Sequence, residues 1–117
     1  MNAQTKKLLH DITDAGRSIL ARCSGHTFAN YEADRWFRRT VEREFELIAE
    51  ALSRLNRTDP ATAAAISEWP RIVAFRNRII HTYDAVDDAT VWGIVESHLP
   101  RLLAEVEAVV NAANEGE

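Results

Sequence analysis

Apolar residues recur along this chain at every third or fourth position and nowhere in sustained alternation, a pattern that predicts helices throughout and no strands. Leu8, Ile12, Ala15 and Ile19 mark an amphipathic helix that should stop near Ser24-Gly25, since glycine suits the residue after a helix end. A longer helical stretch begins after Thr27 or Asp34, both competent N-caps. Its stripe of Phe37, Val41, Phe45, Ile48, Leu52 and Leu55 ends near Asn56. The connection from Arg57 to Glu68 holds Pro60 and an alanine cluster between Ala61 and Ala65, which together predict a short helical turn. Trp69-Pro70 should open the next helix, because proline is tolerated in a first turn, where its missing N–H is not needed. Asp87 or Asp88 can cap a last stretch carrying Val91, Ile94, Val95, Leu99, Leu102, Val106 and Val110, and Pro100 should kink that stretch or split it. Asn111 to Glu117 is expected to fray. The expected architecture is all-α: one domain over residues 1–117, an antiparallel bundle of four or five helices.

Composition supports that size of core. A chain of 117 residues, 46% hydrophobic and 27% charged, fits one compact domain. No apolar run approaches the roughly 20 residues of a membrane span, and Met1 to His10 lacks the basic start and apolar centre of a secretory signal. A cytoplasmic protein without membrane attachment is therefore expected. Cys23, the sole cysteine, has no intramolecular disulfide partner and is expected to pack as a small apolar residue. A net charge of −4 argues against broad attraction to nucleic acid, but the charge is uneven. Between Asp34 and Arg78 the arginines outnumber the acids, and beyond Tyr83 Arg101 is the sole basic residue among eight acids. A local basic surface that includes Arg35, Arg38, Arg39 and Arg78 is compatible with that distribution, as is a set of ordinary solvated helix faces.

The densest chemistry lies in Arg76-Asn77-Arg78-Ile79-Ile80-His81-Thr82-Tyr83, which gathers guanidinium, amide, imidazole and phenol groups of the kind that bind and cleave phosphodiesters. On an ideal helix, at roughly 100° per residue, Ile72, Phe75, Ile79, Ile80 and Tyr83 share one face with Arg76 in its middle. An unpaired arginine there would cost several kcal/mol, roughly, so Arg76 must meet a carboxylate such as Glu46 or Glu50, reach a cleft, or face a second subunit. His81 falls roughly 140° from Arg76 on the same helix. Either the helix ends at His81 or the catalytic partner comes from elsewhere. Asn77, four residues before His81, shares its face and can orient the imidazole. The four histidines are scattered and no Asp/Glu/His spacing typical of a metal site occurs, so no metal and no cofactor are expected. Trp36, Trp69 and Trp92 are assigned to packing, with base stacking as the alternative for Trp36 among its neighbouring arginines.

The segment FRNRIIHTYDAVDDATVWGIVESHL, Phe75 to Leu99, followed by Pro100, resembles the core signature of the HepT-like HEPN family, the HepT-MntA (type VII) toxin-antitoxin proteins. The matching positions are Arg76, Asn77, His81, Tyr83, Val86-Asp87, Val91-Trp92 and Leu99-Pro100, with Trp69-Pro70 and the ELIAEA stretch from Glu46 to Ala51 upstream. The resemblance covers nearly the whole chain. Ala49, where relatives often carry glycine, and the acidic tail depart from it. The resemblance implies a HEPN-like helical bundle that dimerises and sets Arg76 in a polar cleft at the subunit interface. It also implies a metal-independent endoribonuclease with Arg76 and His81 as catalytic residues, Asn77 in support, and products ending in 2′,3′-cyclic phosphate. Arg35, Arg38, Arg39 and Arg78 are candidate RNA contacts. The partners implied are RNA, a second copy of the chain, and an MntA-like nucleotidyltransferase antitoxin that silences the toxin by attaching AMP to Tyr83, with a higher assembly including that antitoxin as a further expectation. The rival of a different class is a non-catalytic HEPN module that binds a nucleotide or the nucleotidyltransferase. A helical DNA-binding regulator is weakly placed, because no helix-turn-helix pattern is evident and the pI is about 5.6.

Overall fold

The protein is described by a computed structural model over residues 1–81 and 88–116, and through residues 77–81 by its backbone alone. The described residues form seven helical segments and no strand: α1 (Ala3–Cys23), α2 (Phe28–Ala33), α3 (Arg35–Thr58), α4 (Pro60–Ala64), α5 (Trp69–His81), α6 (Asp88–Ser97) and α7 (Leu99–Glu115).

Short polar side chains set most of the boundaries. Asn2 caps α1 by accepting the Thr5 N–H at 2.8 Å, and the helix ends where Gly25 takes a left-handed φ of 78°. Thr27 and Asp34 were alternatives for one helix start, and each starts its own helix. Thr27 and Asn30 form a reciprocal capping box on α2, while the Asp34 carboxylate accepts the N–H groups of Trp36 and Phe37 at the head of α3. The stripe of α3 from Phe37 to Leu55 is buried as expected. The helix runs on to Thr58, past Asn56, and Asp59 then caps α4 through the Thr62 N–H with Pro60 in the first turn.

The two longest helices, α1 and α3, pack antiparallel and are tied at both ends. Thr5 Oγ1 donates to Asp59 at 3.0 Å at one end, and Arg22 stands 3.9 Å from Asp34 at the other. Against them lies α7, approaching α1 where Gly16 faces Leu103; a Cβ built on Gly16 would sit 2.6 Å from Leu103 Cδ2. Phe75 of α5 meets Phe45 of α3 edge-on at 5.4 Å. Trp92 of α6 closes on Tyr31 of α2 and Phe37 of α3 at 5.4 and 6.2 Å. One buried cluster joins described residues of every helix, from Leu8 to Val106.

Pro100 splits the last stretch as anticipated: α6 ends at Ser97 and α7 begins at Leu99. Asp88 is the first residue of α6, while Asp87, the other capping candidate, lies outside the described residues. Residues 111–115, where the sequence predicts fraying, continue α7 to Glu115, since Ala112 and Ala113 favour helix and the Gly116 N–H closes the end on the Ala112 carbonyl. Trp36 is not packed: it is 78% exposed, about 100° around α3 from the buried Phe37. Trp69 and Trp92 are half-buried against the core, as assigned. Among the described residues no helix is long and apolar enough to cross a membrane.

Candidate functional site

The helix that carries the motif is started by a distant residue. The Glu105 carboxylate of α7 accepts the backbone N–H groups of Ser67 and Glu68 at 3.0 and 3.2 Å, and the Ser67 hydroxyl at 2.6 Å. It thereby satisfies donors that a helix start leaves open. Glu68 itself is buried, 4% exposed, and is compensated by three cationic or ionisable neighbours. Arg101 lies 3.3 Å away, Arg71 3.5 Å and His98 Nδ1 3.1 Å. The same His98 nitrogen is 2.9 Å from Arg71 Nη1. It either donates to the carboxylate or accepts from Arg71, so the tautomer decides between the two contacts. None of this cluster was anticipated, because its members come from three separate segments.

Further along α5, Ile72 and Phe75 are buried and Arg76 is half-buried among them. The carboxylates named as its partners are engaged elsewhere: Glu46 with Arg43 at 3.3 Å and Glu50 with Arg54 at 3.5 Å. Arg76 Nε is buried with no hydrogen-bond partner. A desolvated guanidinium N–H is costly to leave unmatched, and an anionic oxygen is its best complement. The helix ends on His81, with positions 76 and 81 still roughly 140° apart around its axis. One copy of α5 therefore does not converge the two positions by helix geometry. The side chains of Asn77, Arg78 and His81, and all of Tyr83, lie outside the described residues.

A second polar group forms where α2, α3 and α6 meet. Arg38 donates to the Glu32 carbonyl and stands 4.0 Å from Asp88. Burial, and then the charge of Asp88, push the Glu42 carboxyl above the usual carboxylate range, with Arg39 and Arg38 opposing. The Tyr31 hydroxyl is buried without a partner, and burial followed by the charges of Glu42 and Asp88 pushes its pKa well up. Of the three arginines of α3 expected to contact RNA, Arg38 is thus tied into the protein. Arg35 and Arg39 are exposed and have no ion pair within the described residues. Cys23 is buried and its thiol is raised by burial, in keeping with a packing role. Among the described residues no three His, Cys, Asp or Glu side chains gather in a way that would hold a metal ion.

The family model described as Ribonuclease HepT-like matches residues 12–109, from the middle of α1 into α7. The chain belongs to the HepT-like ribonuclease family. It is similar to "Putative RNase MJ1380" of Methanocaldococcus jannaschii, 29% identical over 89% of this chain and 94% of that protein. It is also similar to "Putative RNase MJ0127" of the same organism, 26% identical over 90% of this chain and 86% of the relative. A third relative, "Putative RNase TTE0752" of Caldanaerobacter subterraneus, is 24% identical over 79% of this chain and 81% of its own length. No solved structure matches the chain. The all-helical bundle is in accord with a HepT-like protein of the HEPN class.

Proposed function

We propose that this HepT-like protein is a metal-independent endoribonuclease, the toxin of a toxin-antitoxin pair. The observation that carries the reading is Arg76: on the helix of the family motif, it keeps a buried guanidinium N–H that no described residue satisfies. A phosphodiester oxygen would fill that role with a charge-assisted hydrogen bond and would gain from it further as charge builds in the transition state. His81 is assigned as the general acid-base group. The ribose 2′-oxygen attacks the adjacent phosphorus as its proton leaves to a base, the P–O5′ bond breaks, and the 5′-oxygen is protonated. The products are a 2′,3′-cyclic phosphate and a 5′-hydroxyl, and DNA is not cut because it lacks the nucleophile.

Asn77 is assigned to orienting the imidazole, and Arg35, Arg39 and Arg78 to RNA contacts, while Arg38 holds the Glu32 carbonyl and Asp88. Since positions 76 and 81 diverge on one helix, we assign the working site to a homodimer in which two motifs face each other. A cognate nucleotidyltransferase would transfer AMP from a nucleoside triphosphate to the Tyr83 oxygen, releasing pyrophosphate. The added negative charge beside the motif would repel RNA from the same cleft. The protein would act in the cytoplasm, as a single domain spanning residues 1–117.

The divergence of positions 76 and 81 also favours the second reading, a non-catalytic module that binds a nucleotide or the nucleotidyltransferase. Cleavage of labelled single-stranded RNA in chelator separates the two. The ribonuclease reading expects cyclic-phosphate products that fall at least about 100-fold with His81→Ala and with Arg76→Ala, the scale of general acid-base and electrostatic contributions. Inert wild-type protein of intact fold and oligomeric state would leave the module.

A further inference from the structure

We propose that Trp36 is a base-stacking platform for single-stranded RNA, with Arg35 and Arg39 holding the phosphates beside it. The proposal rests on the ribonuclease reading and names the part of the surface that would take the substrate strand. An exposed tryptophan needs a reason. Trp36 is 78% exposed in a chain whose other tryptophans pack against the core, and Met1 and Leu47, near 40% exposed, are the remaining large hydrophobics open to solvent among the described residues. Its backbone is fixed: Asp34 accepts its N–H at 3.0 Å, and Thr40 Oγ1 donates to its carbonyl at 2.9 Å. The indole therefore projects from the first turn of a long, rigid helix rather than from a loop.

The charges around it point to the ligand. Arg35 precedes Trp36, and Arg39 lies one turn on, within reach of both on the same surface. Arg43, Arg54, Arg71 and Arg101 each have a carboxylate within 3.5 Å, whereas Arg35 and Arg39 have none among the described residues. The start of α3 already carries a carboxylate, Asp34, which accepts the Trp36 and Phe37 N–H groups, so phosphate contacts fall to the Arg35 and Arg39 side chains and not to the helix end. Beside Arg35 a shallow groove lined by Arg22, His26, Asn30, Asp34 and Arg35 continues toward the end of α1, with Arg22 standing 3.9 Å from Asp34. A flat aromatic face between free cations matches the alternation of base and phosphate along a single strand, and a duplex would not offer a base face for stacking.

The test measures binding without cleavage, using a single-stranded 2′-O-methyl oligonucleotide that has no free 2′-hydroxyl. Its binding should quench the emission of wild-type protein and should weaken about 10-fold in Trp36→Ala, with Trp36→Phe within about 3-fold of wild type, as stacking on an aromatic face requires. Arg35→Gln with Arg39→Gln should flatten the slope of log affinity against log salt by about 1.4, two single-strand phosphate contacts. Circular dichroism melts establish that the variants fold. Equal affinity of wild type and Trp36→Ala, or no binding by either, overturns the proposal. So does a Trp36→Ala variant whose sedimentation changes while its affinity does not, which would make this face an interface between copies of the chain. Binding that depends on Trp36 without cleavage of unmodified RNA would instead leave the platform standing and count against the nuclease.

Discussion

Gly16→Ala isolates the contact between α1 and α7. On an isolated helix the change should stabilise by roughly 1 kcal/mol, the propensity difference between glycine and alanine. Here the new methyl would lie 2.6 Å from Leu103 Cδ2 and 3.2 Å from both Cδ1 and Cγ. Rotating the terminal methyls of Leu103 cannot relieve the Cγ contact, so the side chain or the helix must move, at an overpacking cost of about 1 to 3 kcal/mol. The net expectation is a loss of up to about 2 kcal/mol by those two opposing terms. Removing the obstacle should reverse the sign: in a Leu103→Ala background the same substitution should stabilise by roughly 1 kcal/mol. Urea unfolding of wild type, both single variants and the double variant measures the coupling directly. A Gly16→Ala protein stabilised equally in both backgrounds would refute the close approach of the two helices.

Two further expectations concern the electrostatics. Glu42 has a folded-state pKa above its unfolded value, so the folded protein holds that proton more tightly and loses stability as pH rises from the ordinary carboxylate value through the folded one. Glu42→Gln should therefore raise the melting temperature at neutral pH, with the gain shrinking as pH falls through the folded value toward the ordinary glutamate value; a gain that grew toward acid would contradict the sign. Glu105→Ala should cost about 1 to 2 kcal/mol in denaturant unfolding, the range for a lost helix cap, because it strips the acceptor from the start of α5. Glu105→Gln, which keeps an acceptor oxygen, should recover part of that loss.

The long helices were legible in the chain because burial imposes a periodicity that survives without knowledge of neighbours. The stripe from Phe37 to Leu55 is the clearest case. Caps were legible for the same local reason: Thr27 and Asp34 act within three residues of themselves, though the pattern did not say that both would be used. Trp36 was misassigned because hydrophobicity was given more weight than angle, although its position about 100° from Phe37 already set it off the stripe. The cluster of Glu68, Arg71, His98 and Arg101 was illegible in principle, since no spacing announces that side chains some 30 residues apart will share one carboxylate. Of the site itself, the structure contributes Arg76 and its buried, unsatisfied N–H, and the finding that Glu46 and Glu50 do not pair with it. The assignments of Asn77, His81 and Tyr83 continue to rest on the family motif, whose match over residues 12–109 is strong in extent rather than in identity.

The carboxylate that starts α5 belongs to a residue 38 positions downstream of Ser67. A helix of 13 residues is marginal by itself in water, so this one depends on its packing against α3, where Phe75 meets Phe45, and on the carboxylate that fastens the turn before it. A chain cut before Glu105 would carry every residue from Arg76 to Tyr83 yet lose the anchor that joins the turn before α5 to α7.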